Sequence, residues 1–222
     1  MVVAGVVGVL TVIAFGLLVA AHADWSAHEM PIAIWMSAHH VAAAGAVAAA
    51  LATVLSPGTG LVWLALAGVL AARRRGVRYG IVLFLVGGAN LAGAVAVKLL
   101  VGRPRPDVTA LANPPVVDHS YSYPSGHTAV ATVVVLSLII ALRPRQRRWG
   151  IPLGVGLVLV AATSRVYLGL HYPTDVLAAV VYGVSATPVL VGLLAVPPVR
   201  AVLARLKLLS ASTVVPTEGS LP

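Results

Sequence analysis

Cysteine is absent from this sequence of 222 residues, and charged residues are scarce. Without cysteine, neither a disulfide framework nor a thiolate metal site can form. Charged residues make up 9% of the chain and hydrophobic residues 59%, whereas soluble domains carry about 25% charged residues. The composition therefore excludes an ordinary soluble protein and predicts an integral membrane protein. In a soluble protein a net charge of +9 would suggest a nucleic-acid partner. In a membrane protein the positions of the cations are more informative than their sum, and we expect no nucleic-acid partner.

Long apolar runs divide the chain into predicted transmembrane helices. Residues 2–21 are uninterrupted and about long enough to cross a bilayer. Ala21-His22-Ala23 fits a signal-peptide cleavage pattern, but no positively charged segment precedes the run, so a retained helix is the favoured prediction and cleavage is the alternative. The fold class predicted from all the runs is an all-α polytopic bundle of six transmembrane helices, over residues 2–21, 57–73, 79–100, 126–142, 150–166 and 174–196.

The remaining segments complete the predicted organisation. Pro31 can open a helix at its first turn, and an Ala-rich stretch over 32–55 carries Ser37, His39 and His40, so we predict an interfacial helix after the first span. The end of the chain is rich in Ser, Thr and Pro, which is typical of disorder. The predicted parts are residues 1–56 with the first span and the interfacial helix, residues 57–197 with a core of five spans, and residues 198–222 as a cytoplasmic tail.

The placement of the cations predicts the orientation in the membrane. Clusters at 73–78, 143–148 and 200–207 hold 11 of the 15 Lys and Arg residues, and all three fall on one side of the six-span alternation. By the positive-inside rule this side is cytoplasmic, which predicts a multi-pass plasma-membrane protein. The other four cations lie on the extracytoplasmic side against this bias, which indicates an anionic ligand there; they are Lys98, Arg103, Arg105 and Arg165.

The extracytoplasmic cations and one helix start are suited to binding phosphate. Lys98 and Arg105 are two helical turns apart and can share a face. A lysine point charge together with planar guanidinium groups suits the several oxygens of a phosphate. Ser125 and Gly126 stand where the fourth predicted span begins, and the free backbone N–H groups of a helix start also bind anions.

Two histidines in the same region are candidates for reactive roles. His171 is followed four residues later by Asp175. A carboxylate that accepts the N–H of one imidazole nitrogen leaves the other nitrogen free as a nucleophile. His127, at the start of the fourth span, is placed to protonate a leaving alkoxide. The pattern predicts phosphoryl transfer through a phosphohistidine, with the cations stabilising the equatorial oxygens.

Three segments of the chain resemble the signature of the type 2 phosphatidic acid phosphatase family, the lipid phosphate phosphatases. They are Lys98-x6-Arg105-Pro106, Pro124-Ser125-Gly126-His127 and Ser164-Arg165-x5-His171-x3-Asp175, and all eleven fixed identities occur in order. The resemblance covers residues from about 57 to 196.

The resemblance implies a role for each matching residue. The phosphate is held by the lysine and two arginines together with the serine-glycine segment, here Lys98, Arg105, Arg165, Ser125 and Gly126. His171 is then the nucleophile, Asp175 orients it, and His127 is the acid for the leaving group. The resemblance also implies that no metal or other cofactor is required. Arg103 is an additional cation, for which we predict contact with a second phosphate or a headgroup.

The predicted substrate is a lipid phosphate that enters sideways from the bilayer. Candidates are a polyprenyl pyrophosphate such as undecaprenyl pyrophosphate, phosphatidylglycerol phosphate and phosphatidic acid, and the short chain favours the polyprenyl class. Alternatives are a transferase that moves the phosphate to another lipid or sugar, a vanadate haloperoxidase, and a membrane protein that binds phosphate esters without cleaving them. Six apolar spans argue against the haloperoxidase, and a pure binder would not need the His171–Asp175 pair.

Overall fold

The computed structural model describes residues 1–116, 119–194, 196–197 and 204, and within these residues the chain is helical, without any β-strand. The predicted tail over 198–222 lies outside the described residues, apart from Ala204. A single 3-10 turn, Val108–Ala110, interrupts the long segment between the fifth and sixth helices. Among the described residues the α-helices are α1 Val2–Ala21, α2 Ala23–Ala38, α3 Ala42–Val54, α4 Pro57–Arg75, α5 Val77–Val101, α6 Gly126–Ala141, α7 Pro144–Tyr167 and α8 Pro173–Leu193.

The prediction of an all-helical, multi-span membrane protein is confirmed, but the count of six spans is not. Four helices are long and apolar enough to cross a bilayer by themselves, namely α1, α5, α7 and α8, and the pair α2 and α3 gives a fifth candidate if it counts as one broken span. Two of the predicted spans do not qualify by this measure. α6 has 16 residues, about 24 Å at 1.5 Å per residue, and α4 ends on three consecutive arginines.

The segment after the first span differs from the single interfacial helix that we predicted. The chain is already helical from Ala23, and Pro31 lies inside α2 rather than at its start, so the predicted helix start is wrong. Of the polar residues before Pro31, Ser26 and Glu29 bond to Arg103 within the protein. Between α2 and α3 the direction changes by 119°.

α6 is the central helix of the bundle. Its buried residues lie on all sides, as expected for a helix that is apolar all round and surrounded by protein. One apolar core joins α6 to α1, α5 and α8, and a second joins it to α4 and α7. Because α6 is enclosed by the other helices, its first turn is held in a fixed position at one end of the bundle.

The first helix is an integral part of this packing. Gly5 and Gly8 of α1 face Ser185 of α8, and a Cβ at either glycine would collide with that residue. The Tyr123 hydroxyl, in the segment before α6, donates to the Val12 carbonyl at 2.6 Å. Small residues thus allow the two backbones to approach closely, as is common between transmembrane helices.

Basic residues from two of the three predicted cytoplasmic clusters meet at one end of the bundle. Arg74 donates to the Ala141 carbonyl at 3.2 Å and to Gln146 Oε1 at 3.0 Å. Arg147 Nε donates to the Ile139 carbonyl at 3.1 Å. These guanidinium groups satisfy carbonyls that the end of α6 leaves without intrahelical partners. The clusters at 73–78 and 143–148 therefore share one end, opposite to the three motifs.

The other end is shaped by the way the helices begin and end. α5 ends at Gly102, whose φ of +65° lies in the left-handed region that favours glycine. The chain turns there and carries Arg103 and Arg105 back over the bundle. α8 begins at Pro173, where the missing N–H costs nothing because it is in the first turn. Both ends place polar side chains next to the first turn of α6.

Candidate active site

The structure brings the three motif segments together at one end of the bundle. The Ser125 backbone N–H, before α6, donates to the Asp175 carbonyl of α8 at 3.0 Å. Arg105, after α5, lies 3.1 Å from the His171 ring through its Nη1 atom. Arg165 stands in the last turn of α7. Residues that are up to 77 positions apart in the sequence therefore form one cluster, as the motifs predicted.

His171 lies between a guanidinium group and a carboxylate. Its Nε2 atom is 3.1 Å from Arg105 Nη1, and its Nδ1 atom is 3.5 Å from Asp175 Oδ2. A guanidinium group can only donate, so Nε2 is the accepting nitrogen and the ring proton of the neutral form is on Nδ1, facing Asp175. The Nδ1 to Oδ2 distance is longer than an ordinary hydrogen bond, so Asp175 acts on His171 chiefly as a nearby negative charge.

Burial sets the protonation state of His171. The side chain is 1% exposed, and this burial lowers the pKa of His171 to about 4; Asp175 acts in the opposite direction, while Arg105 and Lys98 lower the pKa further. Desolvation penalises the charged imidazolium. The ring is therefore neutral at neutral pH, and its Nε2 atom carries no proton and contacts Arg105 Nη1.

Asp175 is completely buried and is held by two hydrogen-bond donors. Its Oδ1 atom accepts from Arg103 Nη1 at 2.7 Å, and its Oδ2 atom accepts from the Tyr172 backbone N–H at 2.8 Å. The side chains of Arg103 and Asp175 are both 0% exposed. A buried charge is tolerated only when it is paired and hydrogen-bonded, and Asp175 meets this condition.

Arg103 does not lie where we predicted it from the sequence. Its Nη2 atom donates to Glu29 Oε2 at 2.8 Å, and its guanidinium carbon lies 4.1 Å from the centre of the Tyr172 ring. Because the guanidinium is fully buried and both terminal nitrogens bond to carboxylates, it is not presented to a ligand. The prediction that Arg103 contacts a second phosphate or a headgroup is therefore wrong.

Glu29 is a residue of this region that the sequence analysis missed. Its Oε1 atom accepts from the Thr174 backbone N–H at 2.9 Å, and its Oε2 atom accepts from the Thr174 hydroxyl at 2.7 Å. One signal for it was present in the sequence. A carboxylate between two apolar helical stretches needs a partner or a function, and the chain has only six acidic residues.

The three cations predicted to bind phosphate lie near the two histidines: Lys98 and Arg105 are within electrostatic range of His171, and Arg165 is within electrostatic range of His127. Lys98 Nζ donates to the Tyr121 carbonyl at 2.6 Å, and Arg105 Nε donates to the Ser120 carbonyl at 2.9 Å. These bonds fix the segment before α6 as well as the cations themselves. Arg165 is buried, and its Nη2 atom donates to the Ala48 carbonyl of α3 at 2.7 Å.

One nitrogen of Arg165 is unusual among the described residues. Its Nη1 atom is buried and has no hydrogen-bond partner in the part of the chain that the structure describes. A buried guanidinium N–H without an acceptor is costly. An anionic oxygen would satisfy it, so the donor fits a phosphate.

The first turn of α6 contributes backbone rather than side-chain donors. Ser125 is the N-cap, but its own N–H is taken by the Asp175 carbonyl, and its hydroxyl accepts from Thr128 Oγ1 at 3.1 Å. The nearest atom to a Cβ added at Gly126 would be 3.9 Å away, in Pro57. Packing does not require a glycine at this position, whereas a ligand that approaches the helix start would. His127 is partly exposed and lies within electrostatic range of Arg105, Arg165 and His171.

An apolar groove leads away from the cluster between α4, α5 and α6. It has a volume of about 260 Å³. Lys98 and Gly126 line it at the motif end, and Leu61, Gly88 and Val130 line it further into the bundle. The groove therefore connects the charged cluster with the hydrocarbon-facing side of the helices.

Comparison with protein families matches residues 75–195 to the PAP2 superfamily. A decaprenylphosphoryl-5-phosphoribose phosphatase from Mycobacterium tuberculosis is 39% identical over 124 residues, which cover 55% of this chain and 64% of that protein. An undecaprenyl-diphosphatase from Sulfolobus acidocaldarius is 32% identical over 124 residues, which cover 53% of this chain and 56% of that protein. This chain thus spans less than two thirds of the length of either relative.

A solved structure shares the fold. The crystal structure of a transmembrane PAP2 type phosphatidylglycerolphosphate phosphatase from Bacillus subtilis aligns with a TM-score of 0.68 at 23% identity, and the alignment covers 83% of this chain and 94% of that one. The family match over 75–195 includes more than half of the sequence and all three motif segments. The resemblance seen in the motifs is confirmed, and the chain belongs to the PAP2 superfamily.

Proposed function

We propose that this chain is an integral membrane phosphatase that hydrolyses a phosphate ester or anhydride of a lipid through a phosphohistidine. The observation that carries the proposal is the placement of His171. Its Nε2 atom is the unprotonated nitrogen, 3.1 Å from Arg105, and its Nδ1 atom faces Asp175. An oriented neutral imidazole beside an anion-binding cation is what nucleophilic attack on phosphorus needs.

The phosphoryl group would be held by charges and by one helix start. Lys98 and Arg105 supply positive charge near His171, and Arg165 supplies positive charge near His127. The buried Arg165 Nη1 is a donor suited to an oxygen. The backbone N–H groups at Gly126 and His127 add donors at the positive end of α6. Donors fixed in advance around the equatorial oxygens stabilise the transition state without reorganisation.

The reaction proceeds in two balanced steps. In the first, the lone pair of His171 Nε2 forms a bond to phosphorus while the bond from phosphorus to the leaving oxygen breaks. His127, which takes up a proton when the anionic phosphate binds beside Arg105 and Arg165, gives this proton to the leaving oxygen. In the second, a water molecule attacks the phosphohistidine, His127 takes a proton from the water, and the P–N bond breaks. Inorganic phosphate leaves, and both histidines return to their starting states.

The substrate class that we propose is a phosphate carried on a polyprenyl lipid. The two sequence relatives are named for such compounds, a decaprenylphosphoryl-5-phosphoribose and an undecaprenyl diphosphate. The groove from Lys98 between α4, α5 and α6 gives a hydrocarbon chain a path from the phosphate to the lipid. Arg74 and Arg147 lie at the opposite end of the bundle. The positive-inside rule assigns this end to the cytoplasm, which supports a reaction on the extracytoplasmic face of the plasma membrane.

Phosphate release by the purified, detergent-solubilised protein tests the proposal. The panel contains decaprenylphosphoryl-5-phosphoribose, undecaprenyl pyrophosphate, phosphatidylglycerol phosphate and phosphatidic acid, each with EDTA present. We expect release from a polyprenyl substrate that survives EDTA and is lost in His171→Ala. The matched control is His39→Ala, because His39 is exposed and its ring contacts Trp35, a residue outside the three motifs. Release that persists in His171→Ala would refute the nucleophile, and no release from any lipid would refute the phosphatase.

A further inference from the structure

A buried charge cluster behind Asp175 joins α2 to the site. We call it the Arg103 cluster; its members are Ser26, Glu29, Arg103, Thr174 and Asp175. Arg103 is its centre, with Nη1 at 2.7 Å from Asp175 Oδ1 and Nη2 at 2.8 Å from Glu29 Oε2. Ser26 accepts from Arg103 Nη2 at 3.0 Å, and the Thr174 hydroxyl accepts from Nη1 at 2.8 Å. The guanidinium is thus surrounded by acceptors from α2 and α8.

The cluster includes a part of the chain that the family match does not cover. That match begins at residue 75, whereas Glu29 lies in α2, 74 positions before Arg103. The division of the chain that we predicted at residue 56 would also separate Glu29 from its partner. The position of α2 is therefore coupled to the position of the carboxylate that faces His171.

The charges in the cluster have a consequence for the chemistry at His171. Arg103 with Asp175 alone would be a neutral pair, and its arginine charge would offset the aspartate charge. Glu29 adds a second negative charge on the other side of the guanidinium, so that the three groups together carry a net charge of −1. When Nε2 bonds to phosphorus, the imidazole ring becomes positively charged, and a net negative charge behind Nδ1 stabilises it.

We propose that Glu29, acting through Arg103, is a positioning residue that holds Asp175 against His171 and keeps the charge behind this histidine negative. The role rests on the phosphatase function proposed above. A purely structural alternative is that Glu29 only anchors α2 to the bundle. The two differ in their effect on turnover: anchoring changes the stability of the fold, whereas positioning changes kcat in the folded protein.

The test compares Glu29→Gln with Asp24→Asn in the full-length protein, using undecaprenyl pyrophosphate or the panel lipid with the highest wild-type turnover. Asp24 is an exposed carboxylate on the same helix, so both variants lose one negative charge from α2. We expect Glu29→Gln to lower kcat roughly 10- to 100-fold, as partners that orient a reactive group commonly do. KM should change little because the phosphate-binding cations are intact. Asp24→Asn should equal the wild type.

A second readout separates positioning from anchoring. If Glu29 acts through Asp175, adding Glu29→Gln to Asp175→Asn lowers kcat no further, because coupled residues are not additive. A full multiplicative loss in the double variant would overturn the proposal. Wild-type kcat in a folded Glu29→Gln protein would also overturn it while leaving the phosphatase function intact. A wild type without phosphate release would instead refute the phosphatase function, and this role with it.

Glu29→Gln leaves Arg103 with one carboxylate fewer, and loss of one partner of a buried pair is destabilising. Thermal unfolding of each variant is therefore measured first. If Glu29→Gln does not fold, Glu29→Asp carries the test. Its carboxylate keeps the charge, but it is one methylene too short to reach both Arg103 and the Thr174 N–H. We expect kcat to fall at least several-fold at constant KM, and a kcat equal to that of the wild type would overturn the proposal.

Discussion

Replacement of Arg165 by methionine tests whether the Arg165 guanidinium binds the reacting phosphate. The Arg165 side chain is buried, and its Nη1 atom has no hydrogen-bond partner among the described residues. Methionine has a similar length and no charge. The variant therefore removes a donor and a positive charge from the place where we expect an equatorial oxygen, without forcing a larger side chain into the end of α7.

The expected loss follows from the geometry of a guanidinium against a phosphate. Opposite unit charges about 4 Å apart attract by about 4 kcal/mol at an effective dielectric constant of about 20. Desolvation of the guanidinium reduces the net value, and hydrogen bonds to charged groups contribute about 1.5–3 kcal/mol. At about 1.36 kcal/mol per factor of ten, kcat/KM should fall roughly 10- to 1,000-fold, a range that includes the loss of one oxyanion donor.

The same substitution near the other end of α7 is the matched control. Arg148 is exposed and stacks on Trp149, so Arg148→Met should retain wild-type kcat/KM. The Ala48 carbonyl loses the Arg165 Nη2 donor, so the melting temperature of Arg165→Met should decrease modestly. The assay is initial-rate phosphate release from the preferred lipid in detergent micelles. A decrease in kcat/KM of less than ten-fold in the folded variant would show that Arg165 does not bind the reacting phosphate.

Three further predictions concern neighbouring features. Gly126→Ala should lower kcat/KM roughly 100-fold, because the added methyl group displaces the phosphate from the start of α6. The melting temperature should rise slightly, since the position has room for a Cβ. A variant with wild-type activity would contradict contact between the phosphate and the backbone N–H groups at this helix start. Gly88→Phe should raise KM several-fold at constant kcat, because Gly88 lines the groove and a phenyl ring there would occupy the path proposed for the lipid chain. The position has room for the substitution, since no atom lies within 4 Å of an added Cβ. An unchanged KM would exclude the groove as the path of the lipid chain. The pKa of His171 is lowered to about 4 in the folded chain, against about 6.5 in the unfolded chain. As pH drops from about 6.5 towards 4, the unfolded state binds the proton first, so the free energy of unfolding decreases by about 1.36 kcal/mol per pH unit. Thermal unfolding of His171→Gln should lack this part of the pH dependence, and pH profiles identical to those of the wild type would contradict the burial argument.

The sequence predicted the reactive cluster because its residue types are rare in an apolar chain. Lys98, Arg105 and Arg165 stand against the positive-inside bias, and the spacing of His171 and Asp175 is a local property. Each of these signals can be seen within a few residues. The structure adds that these residues lie together at the first turn of α6. The motifs implied this arrangement, but the spacing of residues along the sequence does not determine it.

The partner of Arg103 could not be predicted from local patterns. The ion pair with Glu29 joins residues 74 positions apart, and its formation depends on where α2 crosses the bundle. Pro31 misled the prediction of the helix start, because a proline inside a helix loses only one backbone hydrogen bond and neighbouring contacts compensate for it. The six-span count depended on hydrophobic length alone, which does not reveal that α6 is short and enclosed by other helices.

The shortness of α6 has a consequence for the energetics of turnover. The helix is about 24 Å long, whereas the hydrocarbon core of a bilayer is about 30 Å thick, and Arg74 and Arg147 fix its far end at its last carbonyls. We therefore expect a phosphate held at Ser125 and Gly126, as proposed above, to lie below the level of the neighbouring headgroups. The cations would then attract the charged substrate to this depth. The product carries one phosphoryl group fewer, so the cations would attract it less strongly and its hydrocarbon chain would favour its return to the bilayer. The short length of α6 would thus favour binding of the substrate over binding of the product.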